Sequence, residues 1–559
     1  MEEKIRQARG LEPAELVFKG ATVVNVFTHR LEECDVAVSG GRVVGLGAYT
    51  GRREVDARGK YLLPGFLDSH IHIESTMLTP GQFARAVLPW GVTGVVADPH
   101  EIVNVCGEAG LRYMLQSAQG TPLDVWFMLP SCVPATPYDS PGCALDAAES
   151  RRLLERYGLL GLGEMMNVPG LLSGDGEVLD KLSGAALVDG HAPLLRGRDL
   201  NAYLTAGVST DHECTSADEA REKAARGMYV HIREGTGAHD LDALIPAVDA
   251  HTQHRMTFCT DDKHIDELMG EGTLSHCVAM AVERGVDPAD AVAMASLHTA
   301  QCYGLKGRGG IAPGWHADLL LCADPCGGTI LEVYKDGVLV AKDGKALFDA
   351  PAVPAEGVTG TVHLPELAVW DLITDFDPAV PVIELVPGSL ITKKTYVDTP
   401  EGLNMCANIE RHRATGRMGR AFVKGLGITG GAVAQSIGHD AHNVTVAGDD
   451  PRDMLLAVQA LGDEGGVCVV RRGEVTARLS LPIGGLMSDR PAEEVLEAYR
   501  AVSRAMADLC AGSDPSRLMI LSFLSLLVIP ALKLSDRGLF DVEEQRFLSD
   551  DNRGKGSSL

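Results

Sequence analysis

Four places in the chain carry residue types that hold metal ions: His70 with His72, then Glu164, then His191 with His212, then Asp261. Each falls at the end of a short apolar segment that reads as a β-strand. Residues i and i+2 of an extended chain share a face, so both rings of His70-Ile-His72 can converge on one ion. Neutral imidazoles with carboxylates suit Zn²⁺, Mn²⁺ or Fe²⁺. Six such ligands can hold two ions, and such a pair makes hydroxide at neutral pH. Glu164 lies in Gly161-Leu-Gly-Glu-Met-Met, where a carboxylate is costly unless it is paired or coordinated. It is the expected bridge between the ions. Asp261 can bind metal and also take a proton from the nucleophilic water. Asp262 competes for that role, and spacing alone does not choose between them.

Two further clusters follow predicted strands: Asp98-Pro-His100-Glu101 and Arg233-Glu234-Gly235. A heterocyclic substrate needs donors, acceptors and an acid for a ring nitrogen. His100, Glu101 and Glu234 are the candidates. Salt bridges that merely shape the loops would explain the same residues. Near the other end of the chain, Gly438-His-Asp-Ala-His-Asn443 packs four polar side chains before an apolar strand. It is either a structural loop or a cover for the site.

Eight apolar segments position these groups: 61–70, 91–98, 124–130, 158–164, 186–191, 208–212, 228–233 and 256–261. Helix-like stretches such as 216–226 and 238–254 lie between them. Eight β/α units in about 250 residues predict an α/β chain with a (β/α)₈ TIM-like barrel, polar residues clustering at the catalytic C-terminal ends. Strand-like alternation over residues 14–62 and again from Gly309 predicts a small discontinuous β-sandwich domain, formed by 1–62 and 309–375. The barrel is then 63–308. Strands and helices mix over 380–548, an additional C-terminal α/β or α+β domain. The Gly/Ser-rich tail 549–559 is expected to be disordered.

Net charge is −26 over 559 residues, which argues against nucleic acid and anionic membrane as partners. The apolar run 518–532 falls short of the ~20 residues that span a bilayer, so it is read as buried core. Thirteen scattered cysteines, an odd number with no Cys-X-X-Cys, point to a reducing cytoplasm rather than a disulfide framework. His-Ile-Glu at 72–74 matches half of the zinc nucleoside deaminase signature, but the Pro-Cys-X-X-Cys half is missing.

The string Pro64-Gly-Phe-Leu-Asp-Ser-His-Ile-His72 resembles the first-strand signature of the amidohydrolase superfamily. Gly309-Gly-Ile-Ala-Pro-Gly-Trp-His-Ala-Asp-Leu is similar to its return to the β-domain. Longer strings resemble the bacterial adenine deaminases: Ala97-Asp-Pro-His-Glu-Ile-Val-Asn-Val, Asp189-Gly-His-Ala-Pro, Asp211-His-Glu, Gly438-His-Asp-Ala-His-Asn and Pro482-Ile-Gly-Gly-Leu-Met-Ser-Asp. The resemblance implies hydrolysis of adenine to hypoxanthine and ammonia in purine salvage, by attack of hydroxide on C6. It implies two divalent ions, Mn²⁺ or Fe²⁺ first and Zn²⁺ as an option. His70, His72, Glu164, His191, His212 and Asp261 would be the ligands. Asp261 would pass a proton to the leaving amine, and Glu234 or Glu101 would protonate the ring. A homo-oligomer, a dimer, is the expected assembly. Two alternatives stay open: a cyclic amide or imide hydrolase with the same metal centre, and a non-catalytic binding barrel, disfavoured because all six ligands are present.

Overall fold

The structure, a computed structural model, describes residues 1–387, 389–510 and 517–548. The expectation for the tail 549–559 lies outside the described residues.

Eight parallel strands carry the predicted site: β1 (Phe66–Ile71), β2 (Val92–Ala97), β3 (Asp124–Phe127), β4 (Leu162–Met165), β5 (Val188–Gly190), β6 (Thr210–Asp211), β7 (Tyr229–Arg233) and β8 (Met256–Cys259). Hydrogen bonds join β1–β2–β3, β4–β5 and β6–β7–β8. Three contacts link these groups into a ring. Leu129 bridges Leu162 after β3, and Ile71 bridges Asp261 between β1 and the end of β8. Ser209 N–H donates to Val188 O at 3.1 Å, joining β5 to the start of β6. The result is a TIM-barrel-like domain. Its strands are buried on both faces, which is why they read as continuous apolar runs rather than alternating ones.

Two local expectations need correction. The predicted strand 61–70 is broken at Gly65: Tyr61–Pro64 pairs with Leu319–Cys322, and Phe66 starts β1. Gly65 donates to Asp318 O at 2.9 Å, and a Cβ there would lie 2.2 Å from Thr93 Oγ1. Only bare backbone can pass from one sheet to the other at that point. The predicted helix 238–254 is instead the short helix Leu241–Leu244 and two 3₁₀ turns, Ile245–Ala247 and Gln253–Arg255. Pro246 lacks the N–H a continuing helix needs.

The β unit is drawn from Ala14–Pro64 and Leu319–Ala346. Its nine strands are joined by hydrogen bonds into one sheet. The register of Ala14–Asn25 slips between Phe18 and Ala21. Its first half then pairs with Gly51–Asp56 and its second with Tyr61–Pro64. This one long strand thus changes its pairing partner along its length, at the irregularity in its register.

Residues 382–480 form a second, mostly antiparallel sheet of eight strands. The helices Pro451–Leu461 and Ala492–Leu509 lie against its strands. Of the apolar run 518–532, residues 518–527 are buried as expected, in the helix Arg517–Phe523 and the turn after it, while Val528, Ile529 and Ala531 are half-buried and Pro530 is exposed. This C-terminal region is fastened to the barrel's C-terminal loops. Ser488 N–H donates to Met77 O at 2.8 Å, His264 Nδ1 lies 2.9 Å from Tyr499 Oη, and Ser140 N–H donates to Asp536 Oδ1 at 3.1 Å. Among the described residues, no helix is long and apolar enough to cross a membrane.

Candidate metal centre

All six expected ligands meet at the C-terminal ends of the strands. His70 Nε2 and His72 Nε2 are 3.2 Å apart. Asp261 Oδ1 lies 3.1 Å from His72 Nε2 and 3.6 Å from His70 Nε2. Glu164 stands between two groups: Oε1 is 3.3 Å from His72 Nε2, while Oε2 is 2.8 Å from His191 Nδ1 and 3.3 Å from His212 Nε2. Each carboxylate oxygen of Glu164 therefore faces different partners, as a bridging ligand must.

The donor set fits divalent cations. Burial and the neighbouring His212 push His70 down to about 4, so it stands as neutral imidazole. His72 Nδ1 donates to Asp98 O at 2.8 Å, which turns its Nε2 lone pair to the cluster. Burial alone would raise the Glu164 carboxyl, but His100, His191, His212 and His72 hold it well below the usual carboxylate range. Burial opposes ionisation of Asp261 too, and His70, His72 and Arg233 outweigh it. Burial opposes protonation of His72, His191 and His212, but the Glu164, Asp261 and Glu213 carboxylates raise all three above the ordinary imidazole range. A cation taking these nitrogens displaces their protons. Imidazole nitrogens with ionised carboxylates converging in a buried site are what N/O metal sites require.

The chain builds this convergence locally. Gly163 admits the Asp98 carboxylate, since a Cβ there would lie 2.0 Å from Asp98 Oδ2. That oxygen accepts from Glu164 N–H at 3.1 Å. Asp261 has φ +53°, left-handed, which aspartate tolerates better than most side chains. Its N–H donates to His70 O at 3.0 Å and its Oδ2 accepts from Arg233 Nη1 at 2.9 Å. Asp262 Oδ1 accepts from Ser75 Oγ, whereas Asp261 Oδ1 faces both His70 and His72, so geometry favours Asp261 as the ligand.

His191 and His212 are fixed by a buried ion cluster. Lys223 Nζ donates to Asp211 Oδ2 at 2.8 Å, Glu219 Oε1 at 2.8 Å and Ala192 O at 2.7 Å. Lys223→Met strands two buried carboxylates and should cost about 3–5 kcal/mol, read as a lower urea midpoint. Burial opposes ionisation of Asp211, but Lys223 and His212 lower it to about 2. Its folded value lies below its unfolded one. That stability is therefore present at neutral pH and is lost as pH falls below ~4 towards 2.

The other candidates divide. His100 Nδ1 lies 3.1 Å from Glu164 Oε1, out of hydrogen-bond alignment. Glu101 accepts from Ser75 Oγ at 3.1 Å and faces His439 Nδ1 at 3.4 Å. Burial, the largest influence, leaves its carboxyl raised. Glu234 is instead tied to the loop beyond β7, with His239 Nδ1 at 2.7 Å and Leu241 N at 3.4 Å.

The loop 438–443 reaches this site. Asp440 Oδ1 is 3.9 Å from His100 Nε2, and the His439 ring stacks on Phe523 at 4.4 Å. Sequence reasoning missed Glu213, which pairs with Arg233, and Phe523. Glu213 could have been found beside His212 in Asp211-His-Glu. Phe523 gave no signal inside an apolar run.

Barrel-like strands ending in this ligand set define a metal-dependent hydrolase of the amidohydrolase class, and residues 61–340 match the model "Amidohydrolase family". Residues 388–546 match "Adenine deaminase C-terminal domain". A curated adenine deaminase of Nitratidesulfovibrio vulgaris (strain Hildenborough) is 45% identical, the alignment covering 98% of each chain. One of Clostridium acetobutylicum is 41% identical over 98% of this chain and 100% of its own, and one of Geobacillus kaustophilus 42% identical over 98% of each. The chain belongs to the adenine deaminase family.

Proposed function

We propose that this protein hydrolyses adenine to hypoxanthine and ammonia, with two divalent ions held by His70, His72, Glu164, His191, His212 and Asp261. The observation that carries the metal centre is Glu164, whose two oxygens face separate ligand groups. Full-length similarity to adenine deaminases supports the substrate. The nitrogen and oxygen donor set suits manganese, iron or zinc; manganese or iron is our preferred metal on the similarity to adenine deaminases.

Bound there, the ions supply Lewis acidity that makes water a nucleophile at neutral pH. Asp261, kept ionised beside Arg233, accepts the proton of the attacking water at Oδ1 and returns it to the amine leaving from C6. Glu101 donates a proton to a ring nitrogen, so that charge does not build on the purine, and is reprotonated, through water, by the proton the C6 hydroxyl releases as the carbonyl forms and ammonia leaves. It takes this role over Glu234 because it faces His439 within the cluster while Glu234 is engaged elsewhere. His439 and Phe523 cover the mouth and keep bulk water out.

We assign residues to Pro64, with 309–375, to the β unit, then the (β/α)₈ barrel to residue 308, and 380–548 to the C-terminal unit. The first boundary moves from 62 to Gly65 because Tyr61–Pro64 pairs within the β sheet. The thirteen free cysteines suit a reducing cytoplasm. A homodimer completes the reading, and light scattering at working concentration checks it.

The test is a panel of aminopurines, a hydantoin and a dihydropyrimidine, assayed with Mn²⁺-loaded and iron-loaded enzyme. Ammonia from adenine, without ring opening of the cyclic amides, is expected. Ring opening with no ammonia would assign the centre to cyclic amide hydrolysis instead.

A further inference from the structure

The collar above the metal ligands is built by two parts of the chain. The barrel supplies His100, Glu101 and Ser75; the C-terminal region supplies His439, Asp440 and Phe523. Their contacts run in sequence: Glu164 Oε1 to His100 Nδ1 at 3.1 Å, His100 Nε2 to Asp440 Oδ1 at 3.9 Å, and Asp440 Oδ1 to His439 Nδ1 at 3.6 Å. His439 then faces Glu101 at 3.4 Å and stacks on Phe523. Asp440 thus stands one imidazole ring out from the bridging carboxylate.

The hydrogen-bond accounts of these acids differ. Glu101 Oε1 accepts from Ser75, as does Asp262 Oδ1. Asp440 is 5% exposed, and its Oδ2 has no hydrogen-bond partner among the described residues. A buried carboxylate oxygen without a donor is unfavourable unless something arriving from outside supplies one. The backbone of His439, next to Asp440, is held on both sides. Ser525 Oγ donates to His439 O at 2.9 Å, and His439 N–H donates to Ser522 O at 3.0 Å. A fixed acceptor at this place suits recognition rather than loop packing.

A purine whose C6 lies at the metal ligands extends its five-membered ring outward. In the free base that ring carries one N–H; in a nucleoside the same nitrogen carries the sugar. We propose that Asp440 Oδ2 accepts the N9–H of the purine, so that the C-terminal region selects the free base over N9-substituted purines. This rests on the adenine reading above and assigns a specificity residue to it.

The test compares adenine with 9-methyladenine on metal-replete enzyme, and hypoxanthine with 9-methylhypoxanthine in calorimetric binding. A site that reads a substrate N–H rejects the analogue lacking it strongly, so wild-type kcat/KM should favour adenine by roughly 10³ or more. Asp440→Ala should cut that preference by about 10²-fold, mainly through KM, and shrink the binding preference for hypoxanthine in parallel. Metal content should stay at the wild-type value. Asp440→Asn keeps an acceptor without the charge and should fall between the two. Equal losses for adenine and 9-methyladenine would overturn the proposal while leaving the deaminase reading intact. So would a wild-type enzyme that turns over both alike, a result independent of whether any variant folds. Wild-type enzyme that releases no ammonia from adenine would instead remove the deaminase reading and this inference with it.

Discussion

Glu164→Gln is expected to lower ammonia release from adenine by roughly 10²-fold or more and to remove about one metal equivalent, as loss of a metal-organising group does. The amide keeps the shape of the side chain but carries no charge and offers one acceptor instead of two. In the structure Oε1 faces His72 and Oε2 faces His191 and His212. The amide nitrogen would turn a donor towards one of these groups. Elemental analysis beside the rate separates the two effects. A variant with near-normal metal content and near-normal rate would move the bridge to another residue.

Asp261→Asn should have an effect of at least similar size. Proton transfer by a positioned group contributes roughly 10²–10⁴-fold, so kcat should fall by about 10³ while KM for adenine changes little. The carboxylate is prepared for this task by Arg233 Nη1 at 2.9 Å and by its position 3.1 Å from His72 Nε2. Asp262→Asn is the matched control. Its Oδ1 is bonded to Ser75, and its substitution should cost far less than that of Asp261. The reverse ranking would give Asp262 the proton-accepting role.

The cluster proposed as the ligand set was legible in the sequence because metal chemistry admits few residue types and the strands deliver them at regular places. His70 and His72 share a face, and the others end apolar segments that read as strands. The β/α alternation was legible for the same reason: buried parallel strands are short apolar runs bounded by polar turns. Boundaries failed where one residue acts through a distant partner. Gly65 breaks a strand because Thr93 and Asp318 lie beside it, and neither is near in sequence. The helix-like stretch 238–254 breaks up at Pro246, which lacks the N–H a continuing helix needs. The choice between Asp261 and Asp262 needed the Ser75 contact, which spans nearly the whole barrel. Phe523 lay in a run that reads only as core, and its second role comes from the face it offers His439. The collar joins residues hundreds of positions apart: the density of polar residues in 438–443 marked that loop locally, but not its pairing with His100 and Glu101.

The most direct test of the account is a metal titration read by product. Protein stripped of metal should release no ammonia from adenine. Activity should rise with added Mn²⁺ and level off at two equivalents per chain, with hypoxanthine formed in step with ammonia. Full activity reached at one equivalent, or metal-replete protein that leaves adenine unchanged, would contradict it.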